Sequence, residues 1–129
     1  MKISYTIIIV TVLFLSATVY SSMPCKINGS KVKVTFVELG SVNCIPCKKM
    51  QPVMKSISKK YGNQINVVFY DVWKDDQKQF AQKYGIKLIP TQVFLDENGK
   101  EFHRHEGFYP EEEIDKILQG KGLKPNIKD

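Results

Sequence analysis

The chain has no internal repeat, no block of basic residues interleaved with aromatics, and only three cysteines among its 129 residues. Without a repeat, a chain of this length reads as one domain with a single core. Its lysines are scattered among thirteen carboxylates, which argues against a nucleic-acid surface in spite of a net charge of +6. The apolar and charged fractions, 43% and 25%, exclude wholesale disorder. Long apolar runs are scarce as well. The one near the start, Ile7 to Leu15, follows Lys2 and precedes small and polar residues, with Val19 and Ser21 placed for cleavage after Ser21. Residues 1–22 are therefore expected to be an export signal. An uncleaved anchor is the alternative, because Ile3 to Tyr20 approaches the lower limit of a membrane span. Lipidation at Cys25 is disfavoured, since Pro24 stands where a small residue is expected. Each reading places the domain outside the cytoplasm, in a periplasm or on the outer face of the cytoplasmic membrane. Any membrane contact would then run through this segment alone.

What is present follows in order. Residues 23–31 form a polar connector with Asn28-Gly29-Ser30 as its turn signal. The folded domain is expected over residues 32–118. Lys33 to Leu39 alternates around Val34, Phe36 and Val37, as a strand entering a core does. A helix follows the cysteines, with Met50, Val53, Met54, Ile57 and Tyr61 at spacings of three and four. Pro52 is expected to kink it and Gly62 to end it. Ile65 to Tyr70 reads as a buried parallel strand. Asp75 or Asp76 is expected to cap a second helix ending near Tyr84-Gly85, with Phe80, Ala81 and Tyr84 turned inward. Thr91 to Leu95 and Lys100 to His105 form a hairpin around Asn98-Gly99. Glu111 to Glu113 open a last helix that buries Ile114, Ile117 and Leu118. Residues 119–129 are rich in Gly and Lys and are expected to fray.

The chemistry is concentrated in Cys44-Ile45-Pro46-Cys47. Two cysteines three apart at a helix start lie one turn apart on one face. The free N–H groups and the positive dipole end there favour a thiolate, the species that attacks disulfides. Cys44 is nearer the helix start and is the expected nucleophile, more exposed than its mate. Cys47, one turn deeper, can resolve the mixed disulfide. A bare C-x-x-C is also half of many zinc sites. His103 and His105 alternate on a strand and could complete a Cys₂His₂ set. Two surface histidines on an edge strand is the reading we favour, so neither metal nor cofactor is expected. Tyr70 and Trp73 are taken as packing rather than a substrate platform, and Cys25 as a free thiol.

Outside the cysteines, Cys47-Lys48-Lys49-Met50-Gln51-Pro52 and Lys83-Tyr84-Gly85-Ile86-Lys87-Leu88-Ile89-Pro90-Thr91 are similar to two runs of the thioredoxin family. Asn98-Gly99, Gly107 and Glu38, six residues before Cys44, agree with it too. The resemblance covers about Lys31 to Leu118. It implies an α/β thioredoxin-like fold in a short version, a four-stranded mixed sheet flanked by three helices. It also implies a Cys44–Cys47 redox disulfide and a cis Ile89-Pro90 bond facing it, with an ordinary trans proline as the alternative. Substrate contacts are expected at Ile45, Pro46, Ile89, Pro90 and Thr91. Glu38 is expected to take the proton of Cys47, the alternative being a strand-end carboxylate facing water. Three features depart from the family. Asn43 replaces the usual Trp before the first cysteine, Phe69 stands where a lysine often accompanies the buried acid, and the extra N-terminal strand and helix are missing. Strongly oxidising relatives carry His between the cysteines, and Ile45-Pro46 offers none. The function expected is therefore an exported thiol–disulfide oxidoreductase that reduces protein disulfides, recharged by a membrane thiol conductor. The alternative is a binding or adaptor module whose cysteines form a structural pair or hold metal.

Overall fold

The computed structural model describes residues 31–126. The expected signal or anchor, Cys25 and most of the connector lie outside the described residues. Among the described residues four strands and three α-helices follow one another: β1 (Val34–Gly40), α1 (Ile45–Tyr61), β2 (Ile65–Asp71), α2 (Gln79–Lys83), β3 (Thr91–Asp96), β4 (Glu101–Glu106) and α3 (Glu111–Gly120), with a turn of 3-10 helix (Gly62–Gln64) between α1 and β2. The sheet order is β2-β1-β3-β4, with β1 parallel to β2 and antiparallel to β3, and β3 antiparallel to β4. This is the four-stranded mixed sheet with three helices that the sequence pattern predicts. The parallel pair arises because α1 must cross over the sheet before β2 can return beside β1. The antiparallel pair arises because Gly99, at φ 76°, lets four residues reverse the chain.

Alternation along β1 divides the core in two. Val34 and Phe36 face Met50, Met54, Ile57 and Tyr61 of α1, Phe94 of β3, and Ile114 and Leu118 of α3. Val37 and Leu39 face the other way, onto Val93, Tyr70, Phe80 and Tyr84. Each fully covered apolar side chain contributes roughly 1.5–3 kcal/mol, so the α1 stripe dominates the larger half. Helix α1 runs through Pro52 without interruption to Tyr61. Gly62 then takes φ 53° and returns its N–H to Ser58 O, closing the last turn.

Two elements differ from the sequence reading. Helix α2 has one and a half turns, begins at Gln79, and is not capped by Asp75 or Asp76. Those two carboxylates stand in the exposed turns that precede it, where Asp75 accepts from Lys78 Nζ at 3.0 Å instead of capping the helix. The stretch after Gln119 does not fray before Asn126. Leu123 is buried at 2% exposure under α1 and α3, the Lys124 backbone exchanges two hydrogen bonds with the Gln64 side chain, and Asn126 N donates to Lys60 O. Gly and Lys composition points to a loose end, and one apolar residue in the run is enough to dock it.

Leu123→Ala is expected to lower the unfolding free energy by about 2–4 kcal/mol, as truncation of a buried leucine does. Urea unfolding followed by far-UV circular dichroism measures it. A loss under about 0.5 kcal/mol would mean that the tail is loose after all.

Candidate active site

All four strands bring a connecting loop to one end of the sheet. Gly40, the last residue of β1, is in register with Asp71 at the end of β2. Leu39 pairs with Thr91 at the start of β3, and Thr91 pairs with Glu106 at the end of β4. The loops 41–44, 72–74, 86–90 and 107–109 therefore meet beside the first turn of α1.

Cys44 is the N-cap of that helix. Its backbone is extended (φ −92°, ψ 124°) and its Sγ accepts the Cys47 N–H at 3.3 Å, the place a serine or aspartate oxygen usually takes. Pro46 falls in the first turn, where its missing donor is not required. The two sulfurs are joined as a disulfide, with the α-carbons 5.2 Å apart. Cys44 retains 7% exposure and Cys47 none. Cys44 is thus the more accessible sulfur, though far less open than its place at the helix start suggested.

The loop before it is pinned by Asp71, a residue that sequence reasoning missed. One carboxylate oxygen accepts Val42 N at 3.3 Å and the other accepts Trp73 N at 3.2 Å. Burial works against the charge of Asp71, but those two N–H groups, the Ser41 hydroxyl and the Lys74 charge together outweigh it and hold its carboxyl below the usual range. Gly40 was missed too. A Cβ there would lie 3.2 Å from both Cβ and Sγ of Cys47, so any larger residue would press the helix away from the strand end by a few tenths of an ångström.

Glu38 lies two residues back on the strand face that Gly40 presents to Cys47, and it is completely buried. The strand-end carboxylate facing water is not what is found. Its neighbours in register are Phe69 on β2 and Gln92 on β3. Burial in these surroundings raises its pKa from about 4.5 to about 8, with the Gln92 hydrogen bond lowering it only in part.

The Ile89–Pro90 peptide is cis. Pro90 is buried and its carbonyl accepts Gly107 N at 2.7 Å, while Thr91 is fully buried with its hydroxyl on Leu88 O. The Thr91 side chain therefore braces the loop. Ile45 is 72% exposed, and Ile89 is half-buried against the floor of a shallow groove of about 280 Å³ that Trp73 and Leu88 also line. Trp73 corrects the sequence reading, being 62% exposed. Tyr70 does pack, its ring stacked on Phe80 at 3.6 Å. Among the described residues six large apolar side chains are exposed, of which Val42, Ile45, Trp73, Leu88 and Phe108 belong to this end of the sheet and Val32 does not.

His103 and His105 share a face, as their spacing requires, but they turn toward Tyr109. His103 Nε2 lies 3.0 Å from its hydroxyl, and the His105 ring stacks on it at 3.9 Å. Among the described residues no group of three or more His, Cys, Asp or Glu side chains is arranged to hold a metal.

Comparison with known proteins agrees with this geometry. A family model described as a thioredoxin-like domain matches residues 25–121. A chloroplastic thioredoxin Y of Oryza sativa subsp. japonica is 34% identical over 64% of this chain and 47% of its own length. The thioredoxin of Bacillus subtilis is 32% identical over 58% of this chain and 69% of that protein. The solved structure of Malassezia sympodialis thioredoxin superposes with a TM-score of 0.59 at 32% identity, over 72% of this chain and 79% of that one. The chain thus spans from about half to about two thirds of the length of these two sequence relatives.

A buried acid with a raised pKa leaves a signature in stability. Between about pH 4.5 and pH 8 the folded protein holds a proton on Glu38 that the unfolded chain has released. Stability therefore falls as pH rises through that window, by up to about 1.4 kcal/mol per unit. Glu38→Gln is expected to remove this slope, measured by urea unfolding at a series of pH values. Parallel curves for the two proteins would show that the acid is ionised in the fold.

Proposed function

Since this chain belongs to the thioredoxin family, a thiol–disulfide oxidoreductase by its Cys44–Cys47 pair, we propose that it acts outside the cytoplasm as a reductant of protein disulfides. The observation that carries the proposal is the single sulfur cap on α1, set within a rim of exposed apolar side chains. In the reduced protein the Cys47 N–H and the dipole of α1 favour the Cys44 thiolate over the thiol. That thiolate attacks one sulfur of a substrate disulfide, forming a mixed disulfide and expelling the other substrate sulfur as a thiolate. Cys47 passes its proton to the Glu38 carboxylate and attacks Cys44 Sγ. The Cys44–Cys47 bond forms and the second substrate sulfur leaves, so the substrate gains two electrons and the protein loses them. Recharging runs the same steps backward, with an external dithiol as donor and Glu38 protonating the departing Cys47 sulfur.

The rim favours polypeptide over small molecules as substrate. An extended segment lying across Ile45, Pro46 and Ile89 would rest apolar side chains on Trp73 and Leu88. Here Trp73, tied by Asp71 to the loop that carries Asn43, supplies an aromatic surface that Asn43 does not. The apolar run Ile7 to Leu15 supports export. A reductant working there needs a source of electrons, for which a membrane protein carrying an exchangeable dithiol is the fitting class. The reducing direction rests on Ile45-Pro46, which gives the Cys44 thiolate no cationic partner between the cysteines.

Insulin reduction followed by turbidity tests the activity. Wild type is expected to precipitate insulin, Cys44→Ser to be inactive, and Cys47→Ser to accumulate a mixed disulfide that mass spectrometry detects. Activity retained in Cys44→Ser would sink the assignment. Trp73→Ala is expected to raise KM for insulin several-fold with kcat little changed, and an unchanged KM would remove Trp73 from the substrate surface. The midpoint potential is expected nearer to about −270 mV than to about −120 mV, and a value at the oxidising end would reverse the direction.

A further inference from the structure

The exchange chemistry proposed above leaves one buried side chain without a task. Gln92 is completely buried, as is Glu38 opposite it. Its Nε2 donates to Glu38 Oε1 at 3.4 Å and to Gly107 O at 3.1 Å, which uses both amide hydrogens. Two oxygens remain with no partner, Glu38 Oε2 and Gln92 Oε1. An ionised carboxylate can only accept, so it offers an amide oxygen nothing. A carboxylic acid carries one O–H, and a proton on Glu38 Oε2 directed to Gln92 Oε1 would satisfy both atoms at once. The alternative amide orientation would set Oε1 against the Gly107 carbonyl, so that carbonyl fixes which way Gln92 points. The 3.4 Å contact agrees with a neutral acid, because a charge-assisted N–H···O bond is drawn in to about 2.7–2.9 Å.

We propose that Gln92 is the positioning residue of the buried acid: its amide oxygen accepts the proton of neutral Glu38 and so orients it, and its amide nitrogen takes up the charge when that proton passes to Cys47. The step, which rests on the redox reading, balances as follows. A thiolate of an external dithiol attacks Cys44 Sγ, the Cys44–Cys47 bond breaks, and the electron pair stays on Cys47 Sγ. Glu38 gives its proton to that sulfur and becomes a carboxylate. The Gln92 N–H then shortens onto it from the β3 side, opposite Phe69 of β2. Gly107 also donates to Pro90 O, so the same glycine that orients Gln92 braces the cis-proline loop. The other groups facing the pair are Cys47 from α1, Phe69 from β2, and His105 from β4 in register with Gln92. His105 is stacked on Tyr109, with Nε2 on Phe108 O, and no charged neighbour contributes to the ionisation of Glu38.

The test follows the oxidised protein by NMR from pH 5 to pH 10, reading the Glu38 carboxyl carbon, the Gln92 side-chain amide and the imidazoles of His103 and His105 separately. In wild type the Gln92 amide is expected to move with the same midpoint as the Glu38 carboxyl, and in Glu38→Gln to stay flat. In Gln92→Met, which keeps the volume and removes both polar atoms, the Glu38 midpoint is expected to rise by about one to two pH units, because a hydrogen bond to the charged form outweighs one to the neutral form. The midpoint for opening of the disulfide by dithiothreitol should rise with it. A Gln92 amide that ignores the Glu38 titration, or an unchanged Glu38 midpoint in folded Gln92→Met, would overturn the proposal. If Gln92→Met does not fold, the wild-type amide titration decides alone. These resonances do not depend on insulin reduction, so an inactive protein whose Gln92 still follows Glu38 would refute the reductase reading and leave the pair standing.

Discussion

The first turn of α1 is pressed against the end of β1 so closely that even a methyl group between them would be crowded. Gly40 occupies the contact, and a Cβ there would come within 3.2 Å of the Cys47 sulfur. From this approach the rest of the site follows. The deeper cysteine loses all contact with water, the shallower one becomes the cap of the helix, and the strand face behind Gly40 points its next side chain, Glu38, into the same dry space. Close packing makes such an arrangement rigid, since an interior at crystal-like density has no room for a shifted turn.

Dryness is what gives the acid its chemistry. A carboxyl in water would be ionised at neutral pH and of no use as a proton donor. Buried between Phe69 and Gln92, with no cation beside it, Glu38 is held near the pH at which it can both give and receive. The fold tolerates this expensive group because Gln92 gives it a neutral polar partner. An ion pair at the same depth would hold the proton off and leave a weaker acid–base group.

The surface around the disulfide has the opposite character. Five large apolar residues remain in water at one end of the sheet, where burial elsewhere in the molecule is thorough enough to dock even Leu123 of the tail. Exposed apolar area of this kind on a small domain is the feature on which the proposed polypeptide substrate rests. Asp71 links the two halves of that surface, because its carboxylate holds the backbone on both sides of the gap between Val42 and Trp73.

Periodicity and motif were enough to identify the strands, α1 and α3, the order of elements and the pair of cysteines. Those features depend on contacts between near neighbours in sequence, such as the 3,4 spacing from Met50 to Tyr61 and the turn residues at Asn98-Gly99. Glu38 could be singled out only through its distance from Cys44 in a family pattern. The importance of Gln92, Asp71 and Gly40 was invisible, since each acts on a residue of another element: 54 positions away for Gln92 and Glu38, 29 for Asp71 and Val42. The exposure of Trp73, the shortness of α2 and the docking of the tail belong to the same class. Local sequence determined which segments form helices and strands and where the sulfur chemistry sits, because backbone propensity and side-chain period are short-range effects. Only the tertiary structure decided how dry the acid is, what partners it and which aromatic stands exposed near the disulfide, because burial is set by every element packed around a residue and not by its neighbours in the chain.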